Sequence, residues 1–216
     1  MSWLIQSMNY LMHVDTQLSA LLVHSGPWFW GVLFLLLFAE TGLVLTPFLP
    51  GDSLLFAVGA LVARGGGLSI WWAFALLVSA AVLGDTANYW IGHTIGPRML
   101  KKEDSKVFKR EYLERTRAFL ARYGGKTVVI ARFVPFVRTF APFLAGVGRM
   151  HYGRFIAYNA AGGAAWVALF LFGGFLFGGL PFVRDNLPLV LVGVIVVTAI
   201  PIGIEYVRHR RIPAVS

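Results

Sequence analysis

FWGVLFLLLFAETGLVLTPFLPGDSLLFAVGALVA, residues 29–63, is the stretch that decides the fold. Nearly every residue in it is apolar, yet the run cannot form one helix. Thr46-Pro47-Phe48-Leu49-Pro50-Gly51-Asp52 interrupts it. A proline removes a backbone donor and clashes with the preceding turn, so a continuous helix through Pro47 and Pro50 is excluded. The arm beyond the break, residues 53–63, would be a helix of about 16 Å, roughly half the bilayer core. Two apolar arms around a central break read as a re-entrant hairpin. Irregular backbone at that depth is tolerated only when buried in protein or lining a wet cavity.

A second region of this kind occupies residues 127–148, interrupted by Pro135 and Pro142 and carrying Arg132 and Arg138. Pro47-Phe48-Leu49-Pro50-Gly51 in the first region resembles Pro142-Phe143-Leu144-Ala145-Gly146 in the second. Each leads into an uninterrupted apolar stretch with small residues, Ser79-Ala80-Ala81 in one and Asn159-Ala160-Ala161 in the other. Spanning helices are predicted at 69–92, 154–179 and 187–207. Trp71, Trp72, Tyr89, Trp90, Tyr158 and Tyr206 lie near their ends as interfacial anchors. One crossing separates the two hairpins, so the second copy is inverted. Broken segments in corresponding positions of two halves point to a transport site where the repeats meet. The predicted fold is an all-α polytopic membrane protein. It has two opposed re-entrant hairpins in an inverted repeat, each followed by a spanning helix, and a C-terminal spanning helix. Residues 29–180 form the transport domain, 1–28 an N-terminal surface segment and 208–216 a tail.

Composition supports the membrane reading. Hydrophobic residues make up 57% and charged residues 13%, with a mean hydropathy of +0.71. A soluble domain carries about 25% charged residues. No cleavable signal peptide is expected, because residues 1–14 lack the basic n-region. Without cysteine, disulfides and thiolate metal sites are excluded.

The net charge of +9 is distributed unevenly. Residues 1–63 contain no Lys or Arg, whereas 98–126 hold ten basic side chains against four acids. Basic loops stay cytoplasmic, so 98–126 and the cluster Arg208, Arg210 and Arg211 are placed inside, with Arg64 and Arg184 outside. The first hairpin then opens outward and the second inward. The basic stretch has a broken apolar stripe (Val107, Tyr112, Leu113, Phe119, Leu120) and reads as a cytoplasmic helix on anionic headgroups. Lying between membrane segments, it does not suit nucleic acid.

An ionisable side chain inside a membrane segment costs about 2.5–3.5 kcal/mol on insertion scales, so each needs a reason. Five qualify: Glu40, Asp52, Asp85, Arg132 and Arg138. Glu40, at the end of the run from Leu33 to Ala39, reads as a proton carrier or as a buried partner for an arginine. Asp52 follows the Pro-Gly break, where Asp-Ser before an apolar run suits an N-cap without excluding function. Arg132 and Arg138 flank Phe133-Val134-Pro135-Phe136-Val137. Arginine stays charged and presents a planar fork of donors suited to phosphate. The pair reads as a clamp for an anionic headgroup, or as ion-pair partners of Glu40 and Asp52. Asp85 and Asn88, inside the first spanning helix, serve equally well as packing ties or as accessory site residues. Asn159 reads as a polar tie between closely packed helices. The histidines His13, His24, His93, His151 and His209 show no metal-ligand spacing, and no zinc or phosphate-loop motif occurs. No cofactor and no catalysis are expected.

Several motifs together resemble the bacterial DedA family. They are Phe38-Ala39-Glu40-Thr41-Gly42, Pro47 to Ser53, Gly84-Asp85 with Asn88-Tyr89-Trp90-Ile91-Gly92, and Arg132 to Thr139. Pro142 with Ala145-Gly146 and Met150, and Asn159-Ala160 with Gly163 and Trp166, complete the set. The resemblance spans about residues 30–180. It implies two opposed re-entrant hairpins and kinship with the VTT-domain scramblases. It also implies an inner-membrane flippase for polyprenyl-phosphate carriers or phospholipids, dependent on the proton-motive force. Glu40 and Asp52 match the family's essential acidic pair, and Arg132 and Arg138 its basic pair. The expected partners are undecaprenyl phosphate or a similar lipid, protons or another coupling ion, and the membrane. A homo-oligomer is compatible with all of this. The alternatives are a proton–cation antiporter, which needs the carboxylates but not the arginines, and a non-transporting scaffold, which tolerates conservative loss of either.

Overall fold

In the computed structural model, which describes residues 27–42, 51–64, 69–100, 125–132, 135–187 and 189–194, the ordered elements are all helical. They are α1 (Pro27–Gly42), α2 (Gly51–Ala63), α3 (Ile70–Leu100), α4 (Lys126–Ala131), α5 (Pro135–Val147), α6 (Tyr152–Phe177) and α7 (Pro181–Asp185). Residues 189–194 are helical as well. The N-terminal surface segment, the Pro47–Pro50 break and most of the basic stretch lie outside the described residues. So does most of the C-terminal helix.

Helices α3 and α6 each contain a 26-residue apolar span, Ile70–Ile95 and Tyr152–Phe177. At 1.5 Å per residue, each reaches about 39 Å, more than a bilayer core of about 30 Å. The arms α2 and α5 have 13 residues each, about 20 Å of helix. Pro135 opens α5, in keeping with the expected break, but Pro142 lies inside the helix and does not interrupt it. Its ring removes the bond normally made to the carbonyl four residues back. Such prolines persist where neighbouring groups satisfy the backbone. Pro142 is fully buried here, and one residue beyond the freed Arg138 carbonyl the side-chain amide of Asn88 donates to the Thr139 carbonyl, 2.7 Å away, tying this part of α5 to α3.

The helices carry large apolar side chains on their exposed faces as well as in the core. Along α1 the covered positions are Phe29, Leu33, Leu37 and Glu40, while Trp28, Val32 and Leu35 are exposed. Along α3, Ala73, Ala80, Ala81, Asp85 and Asn88 are buried, and Trp71, Trp72, Leu83 and Trp90 are exposed. On α3 many of the buried positions are small or polar, and on both helices large apolar side chains face outward. Helices whose outer surface meets lipid pack through small residues in this way.

Two compact units divide the described residues. The first takes α1 up to Leu36, α2, α3 up to Leu77, α6 from Val167, and α7. Its core joins Phe56, Ala57 and Ala60 of α2 to Val183, Leu187 and Leu191. Ser53 Oγ adds a hydrogen bond to the Leu191 carbonyl at 3.3 Å. The arm α2 lies directly on α6. A Cβ on Gly59 would sit 2.0 Å from the Leu171 carbonyl oxygen, and one on Gly174 would sit 2.0 Å from that of Phe56. Asp52 is buried in the first turn of α2, where a carboxylate complements the partial positive charge of the helix N-terminus.

The second unit holds α1 from Leu37, α3 from Val78, α4, α5 and α6 up to Trp166. Tyr89, Val128, Ala145 and Phe155 form its apolar cluster, with the Tyr89 and Phe155 rings stacked at 4.5 Å. Here α5 lies directly on α3. A Cβ on Gly146 would meet the Tyr89 carbonyl oxygen at 2.0 Å, and one on Gly92 would meet that of Phe143 at 2.1 Å. Helix α5 ends with Arg149 in the left-handed region, φ 56°, a position that glycine usually takes. The Met150 N–H then reaches back to the Ala145 carbonyl and the Arg149 N–H to that of Gly146.

Gly173 and Gly174 are adjacent in α6 but differ in what they face, which gives a direct test of the packing. Nothing lies within 4 Å of a Cβ at Gly173. Gly173→Ala should therefore be neutral, or stabilise by up to about 1 kcal/mol through helix propensity. Gly174→Ala should cost about 1–3 kcal/mol by overpacking against α2. Thermal unfolding of both variants in one detergent checks this, and equal effects would contradict the close α2–α6 contact.

Candidate functional site

Four of the five ionisable residues expected inside apolar segments converge in the second unit. Glu40 lies in the last turns of α1, Asp85 in α3, Arg132 immediately after α4, and Arg138 in the first turn of α5. Gly84 permits the approach of α1 to α3. A Cβ there would lie 2.0 Å from Thr41 Oγ1 and 2.8 Å from the Phe38 carbonyl oxygen. Asn88, one turn further along α3 and fully buried, donates to the Thr41 carbonyl at 3.2 Å and to that of Thr139 at 2.7 Å. It thus ties the end of α1 and the start of α5 to the same helix.

The charges are paired. Arg138 Nη2 donates to Glu40 Oε1 in a close ion pair. Arg132 Nη2 lies 2.6 Å from Asp85 Oδ2. Glu40, Asp85 and Arg132 are all 5% exposed or less. Two arginines and two carboxylates sum to zero formal charge, as a site away from water requires. The structure brings Arg138 to Glu40, one of the pairings the sequence allowed. Arg132, however, takes Asp85, an acid not among its expected ion-pair partners.

Helix α6 supplies the remaining wall. Arg132 Nη1 donates to both the backbone carbonyl and Oδ1 of Asn159, at 2.9 and 2.8 Å. The Asn159 amide donates in turn to the Val82 carbonyl at 3.1 Å. Asn159 is therefore more than a tie between helices, because it anchors one of the arginines. Gly163 leaves room for that guanidinium, since a Cβ there would stand 3.0 Å from Arg132 Nη1. Trp166, 1% exposed, lies beside both cations, with its ring centre 5.8 Å from Arg132 Cζ and 5.2 Å from Arg138 Cζ. Both distances are within cation–π range. Reading the sequence for charges did not single out Trp166 as a site residue. One signal was available: it lies amid small residues in mid-helix, whereas membrane tryptophans usually anchor helix ends.

Glu40, Thr41, Asp85, Arg132, Arg138, Thr139 and Trp166 line a cavity with room for about one water molecule. The arrangement is a buried pair of guanidiniums, each held by a carboxylate.

The VTT domain profile matches residues 49–176, which include every member of this cluster except Glu40 and Thr41. The chain is 48% identical to protein DedA of Escherichia coli, over 95% of this chain and 94% of that one. It is 41% identical to an uncharacterized membrane protein of Mycobacterium tuberculosis, over 83% of this chain and 79% of the other. Inner membrane protein YqjA of Escherichia coli is 35% identical over 69% of this chain and 68% of its own length. No solved structure gives a significant match. On the motifs, the profile and these relatives, the chain belongs to the DedA, or VTT-domain, family of membrane proteins.

Proposed function

We propose that this protein is a multi-pass protein of the bacterial inner membrane that moves a phosphate-bearing lipid between leaflets. The cargo would be undecaprenyl phosphate or a similar phospholipid, with the proton-motive force driving the movement. The observation that carries this reading is the pair of buried arginines, each held by a carboxylate, in a chain whose outer faces are apolar. A proton carrier alone needs carboxylates. Two permanently charged guanidinium forks favour an anionic cargo, and phosphate matches their geometry as carboxylate does. The cavity is too small for a phosphate beside the existing pairs, so a headgroup enters by displacing a carboxylate. The displaced acid, no longer paired with a cation, takes up a proton. Binding and coupling thus share one exchange of partners at Arg138 and Glu40. Asp52 joins the coupling set through the family resemblance.

The same reading includes two re-entrant hairpins in an inverted repeat, α1 with α2 and α4 with α5. Their second arms are too short to cross a bilayer, which supports it. So does a recurring contact: Phe56-x-x-Gly59 packs on Leu171-x-x-Gly174, and Phe143-x-x-Gly146 packs on Tyr89-x-x-Gly92. Each arm lies against the spanning helix that follows the other. In this register Gly146 answers to Gly59, whereas the motif likeness paired it with Gly51, which begins α2 rather than lying within it.

Topology is open to test because the chain has no natural cysteine. Single cysteines at Arg64 and Arg184 should react with an impermeant maleimide from outside, and those at Lys109 and Arg210 only from the cytoplasm. Labelling of Arg64 and Lys109 from the same side would contradict the inverted arrangement.

Glu40→Gln keeps shape and hydrogen bonding but cannot ionise. It should insert and fold yet lose at least tenfold in gradient-driven transport, and wild-type turnover would remove Glu40 from the coupling. Arg138→Lys keeps the charge and loses the bidentate fork. It should remain folded, bind a polyprenyl phosphate at least tenfold more weakly in liposomes and fail to move it. Breaking a buried pair costs about 3–5 kcal/mol, so thermal stability is measured in parallel. Restored transport in the charge swap Arg138→Glu with Glu40→Arg would mark the pair as structural only.

A further inference from the structure

Asp85 has no task in the exchange just described, although it lines the same cavity as Glu40 and holds the second arginine. We infer that Asp85 is the second proton-accepting carboxylate of the site, so that two protons accompany each phosphate monoester headgroup. The inference rests on the lipid-phosphate reading above and extends it to coupling stoichiometry.

The first argument is charge balance. Arg132, Arg138, Glu40 and Asp85 sum to zero. A phosphate monoester carries about −1.5 to −2 near neutral pH. A net charge of that size cannot be left uncompensated in a buried site. If the phosphate replaces both carboxylates on the two guanidiniums, neutrality returns when each carboxylate takes one proton. Glu40 can take only one. Among the groups facing Asp85, Arg132 from the end of α4 and Arg138 from α5 stay charged, and Glu40 from α1 is already counted. Thr41 and Thr139 are neutral, as are Asn159 and Trp166 on α6. Among the described residues lining the cavity, Asp85 is the other carboxylate that can take a proton.

The second argument is that Arg132 can release Asp85 without losing all its partners. Its Nη1 stays bonded to the carbonyl and Oδ1 of Asn159, and Trp166 remains beside it. Only Nη2 faces Asp85. The aspartate is therefore the exchangeable ligand, while Asn159 and Trp166 hold the guanidinium in place. The proton that reaches Asp85 comes from the outer solution and leaves to the cytoplasm as the carboxylate re-pairs with Arg132.

The test counts protons. Purified protein in weakly buffered detergent at about pH 7.5, above the second phosphate pKa of about 6, is titrated with a polyprenyl phosphate. The corresponding polyprenyl alcohol serves as the blank. Wild type should take up about two protons per lipid bound, and log Kd should change with pH with a slope of about two. Asp85→Asn and Glu40→Gln should each lower both figures to about one, and Asp85→Glu should restore two. A carboxylate that serves only as a structural partner stays ionised and would leave the count unchanged on replacement. Uptake of one proton by wild type, or of two by Asp85→Asn, overturns the inference even where the lipid binds. If Asp85→Asn does not fold, Asp52→Asn decides: it should keep the count at two, and a fall to one would assign the second proton to Asp52 and overturn the inference. Failure of wild type to bind the lipid at all would instead remove the lipid-phosphate reading, and this inference with it.

Discussion

A guanidinium does not lose its proton at any physiological pH, and an apolar interior offers no water to solvate it. Placing Arg132 and Arg138 inside this protein therefore imposes a requirement on everything around them. Each needs a carboxylate within contact distance, further acceptors or a ring for the rest of its surface, and backbone close enough to supply them. Glu40, Asp85, Asn159 and Trp166 meet those needs from three helices, α1, α3 and α6. The paired state has zero formal charge, which is what allows so many ionisable groups to be buried together.

Such convergence is possible only because the backbones come unusually near one another. Where Gly84 faces Thr41, and where Gly92 and Gly146 face α5 and α3, a single Cβ would collide with backbone or side chain at 2.0–2.1 Å. In a lipid environment the hydrophobic effect supplies little force between helices, so close van der Waals contact and buried hydrogen bonds carry the association. The glycines set how near the helices lie, and that nearness places the polar groups. Asn88 illustrates the second half of the relation, spending both amide hydrogens on carbonyls of α1 and α5.

In the proposed exchange the site has a fixed part and an exchangeable part. Asn159 and Trp166 hold Arg132 through contacts that carry no net charge, whereas Asp85 and Glu40 hold the arginines through ion pairs. In the proposed mechanism an incoming anion would compete with the carboxylates and leave the fixed contacts in place. Proton uptake would then follow from electrostatic necessity rather than from a separate device, because a freed carboxylate away from water is costly while it stays ionised.

Much of the fold was legible in the residues themselves, and for local reasons. Proline chemistry marked the break that opens α5, hydrophobic run length marked α3 and α6, and the cost of burying charge marked Glu40, Asp85, Arg132 and Arg138 as residues needing partners. Those properties belong to single residues or short windows, so a linear chain displays them. Which acid meets which arginine is a different kind of fact. Asp85 lies 47 positions from Arg132, Glu40 lies 98 from Arg138, and Trp166 is remote from both acids. Local chemistry gave Asp52 as good a claim on Arg132 as Asp85. Pro142, read as a break, sits inside a helix that close packing against α3 holds in place. Sequence alone determined that this chain is helical, apolar and burdened with buried charges. Only the tertiary structure decided how those charges cancel, because cancellation depends on distances of 3 Å or less between residues far apart in the chain.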